Sequence, residues 1–291
     1  MGRSPRPRKP LAGVVIPAHN EERDVLRTLA ALHDGLQPGD LDIVVVCNGC
    51  TDRTAEVVRE AYPEIRVLEI PQPSKAVAVA VGNAASSVFP RVHLDADVRI
   101  SGVGIMRLVA PLVTGAEGDV LATAPHRVLD SKASALLVRS YYDVWEHLPQ
   151  VRDGLFGRGV VALSERGEAR VAALSKLVSD DPAVSEAFAP HERLVVRSAQ
   201  VVVVPPRTMR DLVRRRVRVA TGNAQASAAG ARSEASATSM RMLAKLSLSR
   251  PALAIRMPVF VGVTLVAKSR SRKAVRDGDF HLWLRDKSSH A

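Results

Sequence analysis

An α/β fold, with a mostly parallel sheet covered by helices on both faces, is predicted by three features of this 291-residue sequence. Apolar runs alternate with segments of helical periodicity in the order β-α-β-α-β between Leu11 and Ile70, which calls for parallel strands joined by helical crossovers. The runs are rich in Val and Ile and nearly unbroken, as strands buried on both faces are. Three polar clusters follow such runs directly, where open parallel sheets gather their ligands.

The elements follow in order. Leu11 to Ile16 is an apolar run ended by Pro17, after which Val25, Leu26, Leu29 and Leu32 recur at helical spacing until Gly35. Leu41 to Val46 is a second strand, Asp52 to Tyr62 an amphipathic helix, and Ile65 to Ile70 a third strand before Pro71 and Pro73. Ser74 to Ser87 carries two signals. Its "KAVAVAV" alternates like a strand, whereas its alanines, its length and the βα rhythm favour a helix. Val92 to Leu94 reads as a strand running into Asp95-Ala96-Asp97, and Val120 to Ala124 as another. A helix over Ser131 to Leu148, a strand over Val160 to Leu163 and a helix over Glu165 to Leu177 come next. Leu194 to Val204, interrupted by Ser198 and Gln200, predicts a hairpin or a bent strand ending at Pro205-Pro206. A basic helix begins at Met209 and runs to Ala220, and the Ala/Ser/Gly-rich stretch from Gly222 to Ser239 reads as a linker.

Charge divides the chain. Residues 1–10 hold four basic groups and no acid, residues 11–204 hold 19 Lys and Arg against 25 Asp and Glu, and residues 205–291 hold 18 against 5. A mildly acidic body with a basic tail differs from a uniformly basic nucleic-acid binder, although such a tail can meet nucleic acid, anionic lipid or phosphorylated ligands. Aromatic residues make up 3% of the chain, which leaves few stacking platforms for single strands, so nucleic acid is an unlikely partner. An apolar content of 46% supports a large core. The basic, Pro-rich start "MGRSPRPRKP" has no apolar segment of secretory type, so a cytoplasmic setting is expected.

The first polar cluster, Pro17-Ala18-His19-Asn20-Glu21-Glu22, also reads as a helix start capped by Asn20. In the second, Cys47 and Cys50 are the only cysteines and are spaced C-x-x-C between a strand and a helix, the setting of a redox dithiol; a zinc site would need further ligands. In the third, Asp95 and Asp97 repel unless something positive joins them, and a hard divalent cation with phosphate oxygens is the usual partner.

Together these segments resemble the family 2 glycosyltransferases, which have the GT-A fold. The resemblance is carried by "VVIPAHNEE" (14–22), "VVVCNGCTDRTAEV" (44–57), Lys75, "HLDADV" (93–98), "GLFGRGVVALS" (154–164), "SDD" (179–181) and "RTMRDLVRRRVRVATGN" (207–223). It implies a sugar-transfer enzyme whose Pro17, Ala18, Asn20, Glu21, Asn48 and Asp52 hold the base and ribose of a nucleotide sugar. Asp97, supported by Asp95, would meet Mg²⁺ or Mn²⁺ and the diphosphate, with Lys75, Arg215 and Arg218 as further cationic contacts. Asp181, with Asp180 as neighbour, would be the base of an inverting displacement, and Gly157 and Gly159 would let the backbone approach acceptor or sugar; retaining chemistry stays open. His191 is a further candidate contact to metal or diphosphate. Where the family usually has two acidic residues followed by Gly and Ser, this chain has Cys47, Asn48, Gly49 and Cys50, so the nucleobase is left open.

The implied acceptor is a cell-envelope, polysaccharide or lipid-linked glycan. The apolar stretch from Pro251 to Ala267, followed by "KSRSRK", suits a helix lying on an anionic membrane face at the inner side of the plasma membrane, or one packed on the protein. The expected organisation is a disordered basic N-terminus (1–10), a GT-A catalytic domain (11–223), and a linker with a basic helical region (224–291). A non-catalytic sugar-nucleotide or lipid-binding module on the same fold is the alternative.

Overall fold

The computed structural model describes residues 9–114, 119–173, 181–228 and 238–276. Two compact units are present: one comprises residues up to Arg127, Leu155–Ser179 and Ala187–Val202, the other Val128–Gly154, Asp180–Glu186 and the chain from Val203 on.

The seven strands β1 (Ala12–Ala18), β2 (Leu41–Asn48), β3 (Arg66–Ile70), β4 (Arg91–Leu94), β5 (Ala122–Leu129), β6 (Val160–Leu163) and β7 (Arg193–Val203) form one sheet in the order β3-β2-β1-β4-β6-β5-β7. β1 pairs in parallel with β2 and with β4, and β2 with β3; β6 runs antiparallel to β4 and to β5. The strand order reverses at the β1/β4 boundary, which opens a crevice at their carboxyl ends.

Alternation along β1 explains the layers of the first unit. Val14 and Ile16 enter the larger core with Leu29 and Leu32 of α1 (Val25–His33), Val58 of α2 (Thr54–Ala61) and Leu108 of α4 (Gly102–Thr114). Val15, pointing the other way, meets α3 (Lys75–Ala85), whose Ala78 packs with Val44 and Val46 in a smaller cluster. The ambiguous "KAVAVAV" segment is therefore a helix, and the Ser74 hydroxyl caps it by accepting from Val77 N. Ser164 caps α7 (Glu165–Ala172) in the same way through Gly167 N.

Several sequence expectations change. Asn20 does not cap α1; Asp24 holds that position, and Asn20 stands in the left-handed region at φ 56°. Of the hairpin or bent strand expected over Leu194–Val204, only the hairpin falls, since Ser198 and Gln200 sit within the single strand β7. α4 has no counterpart in the sequence reading, because its Pro111 and two glycines mask the helical period. The helix starting at Met209 does not stop at Ala220: α9 (Met209–Ala228) continues through Gly222, so much of the supposed linker is helical.

The second unit is helical: α5 (Leu136–Trp145), α6 (Pro149–Arg152), α8 (Asp181–Glu186), α9, α10 (Met240–Ser249), α11 (Pro251–Ala254) and α12 (Met257–Arg276). Tyr141 of α5 is buried and stacks on Phe260 of α12 at 5.1 Å, and the Thr221 hydroxyl of α9 bonds Ser271 of α12 at 3.1 Å. Phe260, Val263, Ala267 and Ser271 make one buried stripe, so one side of the apolar Pro251–Ala267 stretch packs on protein. Among the described residues no helix is long and apolar enough to cross a membrane.

A Cβ added at Gly82 would fall 2.3 Å from Cγ1 of Val15 and 3.3 Å from Cγ2 of Val46. The helix propensity gained by alanine, about 1 kcal/mol, is smaller than the strain of overpacking two branched side chains in a closed core, about 1–3 kcal/mol. Gly82→Ala is expected to lower unfolding free energy, by up to about 2 kcal/mol in urea titrations.

Candidate functional site

The carboxyl ends of β1 and β2 lie side by side, Ala18 opposite Cys47, and their loops are cross-linked by hydrogen bonds. The Asn48 side-chain amide donates to Ala18 O at 2.7 Å, and Asn48 O meets His19 Nδ1 at 2.6 Å. Asn20 Oδ1 accepts from Thr51 N at 2.7 Å and from its hydroxyl at 3.3 Å, contacts that account for the positive φ of Asn20. The Thr54 hydroxyl accepts from Glu21 N at 2.9 Å and donates to Asp52 Oδ1 at 2.5 Å.

Asp52 binds both loops together. Its carboxylate accepts from Glu22 N at 3.2 Å and Thr54 N at 3.1 Å, while Glu22 Oε2 accepts from Arg53 N at 3.3 Å. Burial acts to raise the Asp52 pKa, but bonds from the Thr54 hydroxyl and from the backbone N–H groups of Glu22 and Thr54 outweigh it and hold the carboxyl below its ordinary range.

The two cysteines belong to this architecture. Cys47 ends β2 inside the core, and burial, reinforced by the neighbouring Cys50, pushes its thiol up to about 12. A thiol that stays protonated at neutral pH is a poor nucleophile. Cys50 sulfur lies 3.5 Å from both Asn20 N and Ala18 O, filling a small position between the loops. Gly49 holds φ 59°, where a Cβ would meet Pro73 at 3.0 Å.

The aspartate pair follows β4. Thr28 of α1 anchors the turn by donating to Ala96 O at 2.7 Å, and Asp95 N donates to Gly159 O at 2.8 Å. Gly159 has φ 65°, and a Cβ there would sit 2.5 Å from Val98 and 3.1 Å from Asp95 Oδ2, so only glycine lets this backbone reach the carboxylate; Gly157 is likewise left-handed at φ 67°. Lys75 Nζ meets Asp95 Oδ1 at 2.6 Å, supplying positive charge to the pair from the first turn of α3. Both partners are partly exposed, so the ion pair is worth at most about 1 kcal/mol and can open for a ligand. Asp97 is exposed.

Among the described residues no group of three or more His, Cys, Asp or Glu could hold a metal ion as an all-protein cage. The hard carboxylate oxygens of Asp95 and Asp97 fit the other way of binding Mg²⁺ or Mn²⁺, in which one or two carboxylates share the ion with ligand phosphates.

The structure thus brings Pro17, Ala18, Asn20, Glu21, Asn48, Asp52, Lys75, Asp95, Asp97, Gly157 and Gly159 into the first unit. Asp181 begins α8 in the second unit, where Arg215 and Arg218 lie three residues apart on α9. Asp180 lies outside the described residues. His191 is exposed just before β7. Of the residues that the resemblance placed among the nucleotide contacts, Asn48 donates its amide to Ala18 O and Asp52 accepts from the backbone N–H groups of Glu22 and Thr54. His19 and Glu22 lay within the first polar cluster and Thr51 within the second without being singled out, and Thr54 lay outside both; their signal was polar residues in two loops that parallel pairing sets side by side.

Residues 13–153 match the family "Glycosyl transferase family 2". Among solved structures, the chain is similar to a mannosyltransferase from Pyrobaculum calidifontis in complex with GDP-Man and Mn²⁺, at 18% identity and TM-score 0.60, over 93% of this chain and 80% of that one. It is also similar to glucosyl-3-phosphoglycerate synthase from Mycobacterium tuberculosis in complex with UDP, at 20% identity and TM-score 0.54, over 77% of this chain and 81% of that one. No curated protein gives a significant sequence match.

The Asp52 pKa is lowered on folding, so its contribution to stability is fully present above the unfolded value, about 3.9, and is lost as pH falls through the folded value. Asp52→Ala should cost about 1–2 kcal/mol at neutral pH, with the difference from the parent shrinking in acid below the folded pKa; parallel denaturant titrations across pH check this.

Proposed function

We propose, from the premise that residues 13–153 form a family 2 glycosyltransferase domain of GT-A fold, that this chain transfers a sugar from a nucleoside-diphosphate sugar to an acceptor hydroxyl. The observation that carries the reading is the convergence, at the carboxyl ends of β1, β2 and β4, of a cross-linked polar loop pair and the Lys75-contacted aspartate pair. The first can receive the nucleoside, the second the diphosphate.

In the proposed reaction the acceptor oxygen attacks the anomeric carbon, the bond from that carbon to the diphosphate oxygen breaks, and the acceptor proton passes to the base, for which the sequence resemblance implies Asp181 with Asp180 as its neighbour in the chain. Inversion at the anomeric carbon follows from a single displacement. Asp97, with Asp95, would hold Mg²⁺ or Mn²⁺. When bound, such an ion acts as a Lewis acid that neutralises the charge developing on the diphosphate. Lys75 would leave Asp95 for a phosphate oxygen; Arg215 and Arg218 are the further cationic contacts that the sequence resemblance implies. Holding donor and acceptor together lowers the barrier by making the encounter intramolecular.

Loss of the base and loss of the metal ligand have different signatures. Asp181→Asn is expected to lower kcat by a factor on the order of 10²–10⁴ while nucleoside-diphosphate binding persists. Asp97→Ala should abolish both the Mn²⁺-dependent transfer and the thermal stabilisation that nucleoside diphosphate plus Mn²⁺ gives the parent chain. A screen of nucleotide sugars by product release, with both variants alongside, tests the reading; parent-level turnover by Asp97→Ala would refute it.

A further inference from the structure

α12 is apolar on two opposite sides. Its inward stripe, Phe260, Val263, Ala267 and Ser271, is buried in the second unit. At helical spacing its outward face carries Pro258, Gly262, Leu265 and Val266, continuing the line of Ile255 at the end of α11. Leu265 is 61% exposed and Ile255 85% exposed, and a Cβ built on Gly262 meets nothing within 4 Å. Leu248, at the adjoining end of α10, is 84% exposed. A helix apolar on both sides requires an apolar partner on both.

The composition around this face says what the second partner is. Of the fourteen large hydrophobic residues that stand exposed among the described residues, ten belong to the second unit. Residues 240–276 contain nine Lys and Arg and no Asp or Glu. Lys245 and Arg250 flank Leu248, Arg256 follows Ile255 and pairs with Asp143 at 3.1 Å, and the same outward line of α12 ends in exposed Arg272, Lys273 and Arg276. A nucleic-acid duplex is bound chiefly through cations and hydrogen bonds to its phosphates, which leaves exposed aliphatic side chains along the whole face without a partner. Aliphatics flanked by cations match the boundary between anionic headgroups and acyl chains.

We infer that the outward face of α12, with the corner from Leu248 to Arg256, docks on an anionic bilayer surface, Ile255, Leu265 and Leu248 entering the acyl boundary while the cations meet lipid phosphates. The chain lies on the bilayer by this face and does not span it.

Sedimentation of the full chain with phosphatidylcholine vesicles, with and without phosphatidylglycerol, tests the inference. Binding is expected only with the anionic lipid and weakens with salt. The double variant Ile255→Ser/Leu265→Ser should lower the partition coefficient at least about tenfold at fixed salt, since a buried aliphatic side chain is worth roughly ten- to a hundredfold. Its thermal midpoint and its nucleoside-diphosphate binding should match the parent, which separates this inference from the transferase reading. In an independent check, Ile255→Trp should emit at shorter wavelength when anionic vesicles are added. Parent-like partitioning of the double variant, or an Ile255→Trp emission that does not move, would overturn the inference. So would binding to duplex DNA in place of vesicles, because it would assign the cations to phosphate recognition alone.

Discussion

The parallel pairing of β1 with β2 on one side and β4 on the other is the constraint on which the site depends. Parallel strands send their carboxyl ends to the same edge, so three loops far apart in sequence meet there. The pairing in turn rests on close packing at both faces of β1: Val15 against Gly82 of α3, and Val14 and Ile16 against α1 and α4. A shift of register by one residue would exchange these two faces and turn the loops away from one another.

Polar groups complete what the strands begin. Backbone donors and acceptors freed at the strand ends are taken up by side chains of the opposite loop: Ala18 O by Asn48, Thr51 N by Asn20, and Glu22 N by Asp52, which also accepts from Thr54 N of its own loop. Such a network is preorganised, so a ligand entering it need not order the loops at the cost of its own binding energy. The aspartate turn is fixed separately, by Thr28 below and Gly159 beside it, which leaves the exposed Asp97 carboxylate on a rigid support.

Much of this was legible in the sequence. The β-branched runs gave the parallel strands because strands covered on both faces are continuously apolar, and the placement of polar clusters after them gave the site edge. The resemblance offered Lys75 only as a cationic contact at the diphosphate; its pairing with Asp95 emerges from the fold. What stayed hidden was information carried by tertiary contact. Nothing local distinguishes Asn20 as a helix cap from Asn20 as a partner of Thr51, thirty-one residues on, because the same amide serves both. α4 escaped because Gly102, Gly104 and Pro111 weaken its helical signature, although Ile105 and Leu108 lie on its buried face. The continuation of α9 through an Ala/Ser/Gly stretch shows composition yielding to helix propagation, alanine being the best helix former.

Among the described residues no third ligand joins the two carboxylates to form a cage, so the account makes cation and diphosphate bind together or weakly apart. Calorimetric titration of the chain with Mn²⁺, with and without a saturating nucleoside diphosphate, measures that coupling. The account predicts that the diphosphate strengthens Mn²⁺ binding by at least about tenfold, with the reciprocal gain for the nucleotide, and that the gain disappears in Asp95→Asn/Asp97→Asn. Equal Mn²⁺ affinity in the two titrations, or a coupling that survives loss of both carboxylates, would contradict it.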